Sequence, residues 1–225
     1  MTLPTDISAA GQKLRKGLNQ VGLGVKTGID LPNETAGQTA PLTNNPGNYL
    51  DLAIGQYDTY TPIQLSQYVS TIANNGYRIQ PHIGLAIHDS TNTDELGPLK
   101  KKIKGNVLNR VNNTQDQLDE VKAGFKMAFN KQDGTGYASF HKTTVPSAGK
   151  TGTAEVFQNG ESRVNSTYIG YAPIDNPQLA FSIVYTNQPV PPPWLNGGDL
   201  GRDIINYYFK DHADKKDNDG NNETD

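Results

Sequence analysis

The sequence predicts an α+β fold, an antiparallel sheet covered by helices, and three observations carry that expectation. Apolar residues recur at helical spacing in the first third and again behind a capping signal at Thr114. Three β-rich runs then follow one another near 148–157, 165–172 and 178–187, and a helical segment over 198–209 closes the body. Helices first, consecutive strands next and a last helix is the order of an antiparallel α+β plan, not the alternation that builds a parallel sheet.

Each element has its own signal. Segment 6–23 places Ile7, Leu14, Leu18 and Val21 at helical spacing and runs into a glycine-rich stretch, Gly22 to Gly28. Between Asp30 and Tyr60 there is little periodicity and much Asn, Pro and Gly, so a long irregular connection is expected, of the kind that carries or covers a site. Thr61 can cap the next helix, Pro62 suits its first position, and Ile63, Tyr68, Val69, Ile72 and Ala73 supply an apolar face that Gly76 ends. Alternation from Ile79 to His88 predicts a strand, with Pro81 marking an edge.

Thr114-Gln-Asp-Gln117 spells a capping box opening a helix with Leu118, Val121, Phe125 and Ala128 or Phe129 inward. The glycine-rich turn Asp133-Gly-Thr-Gly136 leads into the strands, of which the last, 179–185, is apolar enough for burial on both faces. Tyr207, Tyr208 and Phe209 read as core residues of the closing helix. Trp194, after three prolines, either packs over a site or caps the core.

Composition narrows the function. Of 225 residues, 34% are hydrophobic and 19% charged, which describes a loop-rich globular chain and not a disordered one. Zero Cys excludes disulfides, Cys-based zinc sites and a thiol nucleophile. No apolar run approaches the roughly 18 residues of a membrane span, and no secretory signal is visible. The net charge of −3 is uneven: residues 211–225 carry −4 and one apolar residue, so this end is expected to be a disordered acidic tail. A body of +1 gives no nucleic-acid footprint, and the run Lys100 to Lys104 reads as a solvated loop. His82 and His88 face one side of a strand but lack a third ligand, so no metal is expected. Gly22, Gly24 and Gly28 miss dinucleotide spacing and follow a helix, and no cofactor is expected.

Ala148-Gly-Lys-Thr-Gly-Thr-Ala-Glu155 is the informative stretch, and three readings compete for it. A phosphate loop would need Gly where Thr144 stands, and a helix where the following residues read as strand. A bare Lys-Thr-Gly can also arise by chance. The third reading is the Lys-Thr-Gly element of serine acyl-transferases that react with penicillin. On a strand edge, Lys150 would be a fixed cation, and Thr151 and Thr153 hydroxyl donors to a substrate carboxylate. Gly152 would remove a side chain where substrate backbone lies, and the Thr153 N–H could face a developing oxyanion.

The resemblance extends beyond these residues. Gly47 to Gln56, Tyr60-Thr-Pro-Ile-Gln-Leu65, the helix to Asn75-Gly-Tyr77, Ala148 to Glu155, Thr167-Tyr-Ile-Gly-Tyr-Ala-Pro173 and the closing helix together resemble the class B penicillin-binding proteins over about residues 5–210. That resemblance implies a peptidoglycan D,D-transpeptidase. In such an enzyme an active serine takes the acyl group from a D-Ala-D-Ala stem peptide and passes it to a cross-linking amine, and β-lactams trap it. Lys150, Thr151, Gly152 and Thr153 are then the expected substrate-binding residues, with Lys150 and Thr153 catalytic.

One departure is as informative as the match. The family pattern needs a Ser-x-x-Lys nucleophile and a Ser-x-Asn, both upstream of Lys-Thr-Gly. Ser139-Phe-His-Lys142 lies only eight residues before Lys150, in a segment that reads as loop, and Ser90-Thr-Asn92 lies in a polar turn. No nucleophile is therefore expected in this chain. The resemblance implies that residues 1–210 are the C-terminal portion of a transpeptidase domain. The remainder would supply sheet strands, the serine helix and a membrane anchor, placing the parent on the outer face of the bacterial cytoplasmic membrane among cell-wall synthesis proteins. A non-catalytic remnant or ligand-binding module with the same fold is the alternative.

Overall fold

The computed structural model describes the backbone of residues 7–41, 46–190 and 197–219, and the side chains of residues 9–41, 46–190 and 197–210. The chain divides into two units, Met1–Thr71 with Gly76–Asn112, and Ile72–Asn75 with Asn113–Asp225.

The first unit is built on short elements. It contains α1 (Ile7–Gln20), α2 (Pro46–Ala53) and most of α3 (Pro62–Ala73), then β1 (Tyr77–Ile79), β2 (Ala86–His88), β3 (Leu99–Lys102) and β4 (Val107–Arg110). The four strands form two antiparallel ladders, β1 with β4 and β2 with β3. Helix α2 interrupts the connection expected to be irregular from Asp30 to Tyr60. At the start of α3, Thr61 and Gln64 cap each other: Thr61 N donates to Gln64 Oε1 at 2.8 Å, and Gln64 N to Thr61 Oγ1 at 3.4 Å. Val69, Ile72 and Ala73 are buried as expected, but so are Gln64, Gln67 and Thr71, which periodicity alone left out. Gly76 takes the left-handed conformation (φ 83°) after the helix, and its N–H returns to Thr71 O at 2.8 Å.

The single strand expected over 79–88 is two strands with a break. Pro81 has no N–H to give a ladder, and the N–H groups of Ile83 and Gly84 are taken by the Asp30 carboxylate at 2.7 and 2.9 Å. The halves then pair with different partners. Within the run expected as a loop, β3 covers Leu99–Lys102 and all four of its residues are exposed, so the lysines are solvated but extended.

The second unit carries the long strands. Its elements are α4 (Gln115–Asn130), α5 (Tyr137–Phe140), β5 (Ala148–Gln158), β6 (Glu161–Ala172), β7 (Leu179–Gln188) and α6 (Gly197–Asp219). The sheet order is β5-β6-β7, all antiparallel. Thr114 and Gln117 form the expected capping box. Leu118, Phe125 and Phe129 are buried on α4, whereas Val121 is 39% exposed and does not join them.

The β5–β6 hairpin closes on Asn159 and Gly160, both at positive φ (53° and 80°), with Gln158 opposite Glu161. That Asn-Gly pair is the strongest short hairpin signal a sequence offers, and it extends β6 four residues earlier than the 165 start expected. The core is aromatic: Phe129 stacks on Phe140 at 3.7 Å between ring centres, Phe140 on Phe181 at 5.9 Å, and Ala172 and Ile205 complete the cluster. Strand β7 is not buried on both faces; Phe181 is its one buried residue, because α6 packs against the sheet over part of that strand only. Tyr207 is 70% exposed and points away from the core, while Phe209 packs on it. Helix α6 runs to Asp219, so the backbone of 211–219 is helical where a disordered acidic tail was expected; residues 220–225 lie outside the described residues.

Candidate functional site

Lys150, Thr151, Gly152 and Thr153 lie on β5, opposite Ile169, Tyr168, Thr167 and Ser166 of β6. Strand β5 is an edge: β6 holds one side along eleven consecutive positions, and no strand among the described residues occupies the other. The strand starts in a buried base, where Ser147, Ala148 and Gly149 are enclosed. A methyl group at Gly149 would come 2.1 Å from Ile169 O and 2.5 Å from the Phe129 ring, so only Gly lets β5 lie this close to β6 and α4. From Lys150 onward the strand emerges to solvent.

Gly152 differs from Gly149. A methyl group there would meet only Thr167 Cβ at an ordinary 3.7 Å. Packing within the chain therefore gives no reason for Gly at 152, which leaves the open side of the strand as the place where a side chain would be felt.

The Lys150 side chain is exposed, and its Nζ donates to Thr151 O at 2.7 Å. Thr151 donates its hydroxyl to Thr135 Oγ1 at 2.8 Å. Thr135 is a site neighbour that the sequence reading missed. It stands between Gly134 and Gly136, and methyl groups at these would come 2.5 Å from Ala128 O and 2.6 Å from the Phe129 ring. The two glycines let the turn close on the end of α4 and bring Thr135 to β5; a Thr flanked by glycines after a helix was the available signal.

Of the two serines considered earlier, one is buried and the other lies in an exposed turn. Ser139 is 2% exposed and sits in the one-turn helix α5, where a loop was expected. Ser90 is exposed in a polar turn tied by Thr91 Oγ1 donating to Glu95 O at 2.8 Å. A further Ser-x-x-Lys spelling, Ser147 to Lys150, also lacks the geometry. Ser147 is fully buried with its hydroxyl 3.3 Å from that of Thr143, and three extended residues separate it from Lys150 by about 10 Å. A helix, by contrast, would bring such a pair to one face. His82 and His88 place Nδ1 at 2.7 Å from the carbonyls of Gly84 and Gly97. Among the described residues no three His, Cys, Asp or Glu are grouped to hold a metal ion. No described helix is long and apolar enough to cross a membrane. Trp194 lies outside the described residues.

A family model, the penicillin binding protein transpeptidase domain, matches residues 4–200. The chain belongs to that family. Penicillin-binding protein H of Bacillus subtilis (strain 168) is 48% identical over 180 residues, 76% of this chain and 25% of that protein. A solved structure of penicillin-binding protein 2B from Streptococcus pneumoniae (strain R6) superposes with a TM-score of 0.84 at 36% identity, covering 94% of this chain and 34% of that one. The penicillin-binding protein 3 of Mycobacterium tuberculosis, solved with aztreonam, gives a TM-score of 0.69 at 26% identity over 88% of this chain and 46% of that one. The mixed helix and antiparallel-sheet plan is thus that of the family's transpeptidase fold. The chain spans about a quarter to a third of the length of the curated relatives it matches.

Proposed function

We propose that this chain is the later part of a peptidoglycan D,D-transpeptidase domain, with residues 1–210 belonging to the domain and the acidic residues 211–225 lying beyond it. The observation that carries this reading is the Lys150–Thr153 edge, backed by β6 and open on its other side. An extended peptide ending in D-Ala-D-Ala, or a β-lactam of similar shape, adds to such an edge through backbone hydrogen bonds. Lys150 supplies a cation to the terminal carboxylate, and the Thr151 and Thr153 hydroxyls supply donors. Gly152 keeps the approach clear, and the Thr153 N–H stabilises the oxyanion that forms as a serine Oγ attacks the penultimate carbonyl. The bond to the terminal D-Ala then breaks, the acyl group rests on the serine, and an acceptor amine releases it.

The serine itself comes from sequence outside these 225 residues, together with the anchor that places the parent on the outer face of the cytoplasmic membrane among its cell-wall synthesis partners. Burial of Ser139 and Ser147 supports this assignment and predicts that the chain alone forms no acyl-enzyme. Labelling with a fluorescent penicillin tests it: the purified chain should carry no boil-resistant label, and a covalent adduct on it would show that the nucleophile is present. In the longer protein, Lys150→Ala should cut acylation by roughly a hundredfold or more, as loss of a charged group at an acyl-transfer site does. Unchanged acylation would remove β5 from the site.

A further inference from the structure

The first unit contains a cavity of about 440 Å³ beside the β2–β3 ladder, with Lys101, Lys102, Lys104 and His82 in its walls. We propose that this cavity binds a phosphate-bearing ligand carrying at least two negative charges.

Charge is the first argument. Residues 99–106 hold four lysines and no acid, in a body whose net charge is only +1. Lys100 pairs with Asp89 at 3.3 Å, but the side chains of Lys101, Lys102 and Lys104 enter no hydrogen bond or ion pair among the described residues. Asp30 is the one acid in the lining, and both its oxygens are occupied by the N–H groups of Ile83 and Gly84. Those two bonds hold its carboxyl below the ordinary range, so it stays charged and offsets one lysine, leaving a surplus of two. Cations gathered without counter-charges repel one another, and an anion between them removes that cost.

Pre-organisation is the second. The wall facing the lysines is tied to backbone: Gln80 N donates to Asn106 O at 2.8 Å and Gln80 Nε2 to Gly28 O at 2.6 Å. His82 Nδ1 lies 2.7 Å from Gly84 O, which fixes the ring. The cavity is within the size range of small-molecule sites, roughly 300–1,000 Å³. Ammonium groups without an Arg fork suit phosphate as point charges, and Ile87 and Ile103 in the lining offer an apolar surface to the rest of the ligand.

The phosphate could arrive free in solution or on a lipid headgroup, and the experiment has an arm for each. Backbone amide spectra of the purified chain are recorded at about 0.15 M ionic strength, where scattered surface charges are screened. Inorganic pyrophosphate is the first probe, and vesicles of cardiolipin, whose headgroup carries two phosphates, in phosphatidylcholine, against phosphatidylcholine alone, are the second. The expected result is a saturable response confined to residues 80–87 and 101–106 with at least one probe. Binding should weaken by roughly tenfold or more in the triple variant Lys101→Gln, Lys102→Gln, Lys104→Gln, and persist when the three are replaced by Arg. A control triple, Lys13→Gln, Lys16→Gln, Lys126→Gln, on exposed helix positions, should bind as the parent does. Should the first triple fail to fold, the single Lys102→Glu replaces it. Response to pyrophosphate identifies a soluble phosphate compound, and response to the anionic vesicles alone identifies a headgroup; both support the site. Silence with both probes, or a response spread over all lysines and weakened equally by the control triple, overturns it.

Discussion

The second unit buries aromatic rings where the first buries amides and carboxylates. Around Phe140 the packing is ring on ring, with Phe129 at 3.7 Å and Phe181 at 5.9 Å. In the first unit, Thr27, Asp58, Gln64 and Gln67 are as deeply buried as those rings. Each of the four holds backbone or charge. Gln64 Nε2 donates to Val25 O and Ala36 O at 2.7 and 2.9 Å, and Gln67 Nε2 to Thr27 O and Ile79 O at 3.2 and 2.9 Å. Asp58 accepts from Arg15 through both oxygens, at 2.6 and 3.0 Å, and from Ala40 N at 3.0 Å. The reason is the backbone between α1 and α2. It turns through positive φ at Gly22, Gly24, Gly28, Asn33 and Gly37 and has no ladder to satisfy its polar groups, so side chains do so. Regular strands free a core to be apolar; irregular chain requires a polar one.

That contrast can be broken from either side. The largest effect is expected from Phe140→Ala, which removes the middle ring of the stack and should cost about 4 kcal/mol. Amide exchange would accelerate around Phe129, Ala172 and Phe181 and leave residues 23–40 protected; a uniform acceleration would show that the two units unfold as one. Asp58→Ala strands the Arg15 guanidinium and the Ala40 N–H and should cost about 3 kcal/mol, read as a lower denaturant midpoint with exchange rising first at Gln38 and Ala40. Gln64→Ala leaves two carbonyls and the Thr61 N–H without their partners and should cost about 2 kcal/mol.

Acid sharpens the same point. Burial pushes the Glu34 carboxyl up, but hydrogen bonds from Thr27 Oγ1, Thr27 N and Gly28 N outweigh it and hold the group below its ordinary 4.5. A carboxyl lowered in the folded state stabilises fully above the unfolded value and loses that contribution as pH falls through the folded one. Glu34→Gln should therefore flatten the decline in urea midpoint between about pH 6 and pH 3; an unchanged decline would remove Glu34 as a cause. The smallest effect belongs to the second unit, where Gly160→Ala must place a side chain at φ 80° and should cost about 1 kcal/mol, measured by thermal unfolding.

What was legible in the sequence follows the same division. The α4 capping box, the three strands and the Lys150–Thr153 stretch on a strand are local signals, and each lies in the second unit. In the first unit α1 and α3 were readable from their spacing and the Thr61 cap, but the rest resisted because its determinants come from far along the chain. Asp30 ends a strand more than fifty residues away by taking the N–H groups of Ile83 and Gly84, and Gln64 is buried because Val25 and Ala36 need a donor. Strands β3 and β4 give no periodic signal because most of their residues are exposed. At the candidate site the strand was readable and Thr135 was not, since its nearness to Thr151 depends on how tightly two glycines let a turn close on α4.

The Asn159-Gly160 turn reaches further than its small energetic weight suggests. Side chains alternate along β5, so a hairpin slipped by a single residue would exchange the face presenting Lys150 and Gly152 with the one presenting Thr151 and Thr153. A two-residue loop permits one alignment of the strands it joins, and the ladder transmits that choice through nine residue pairs to Lys150. Lengthening the turn by one residue would leave every atom of the Lys-Thr-Gly sequence in the protein while turning it to the wrong side. The turn thus acts as a counting device, keeping in step a stretch of chain that it never touches.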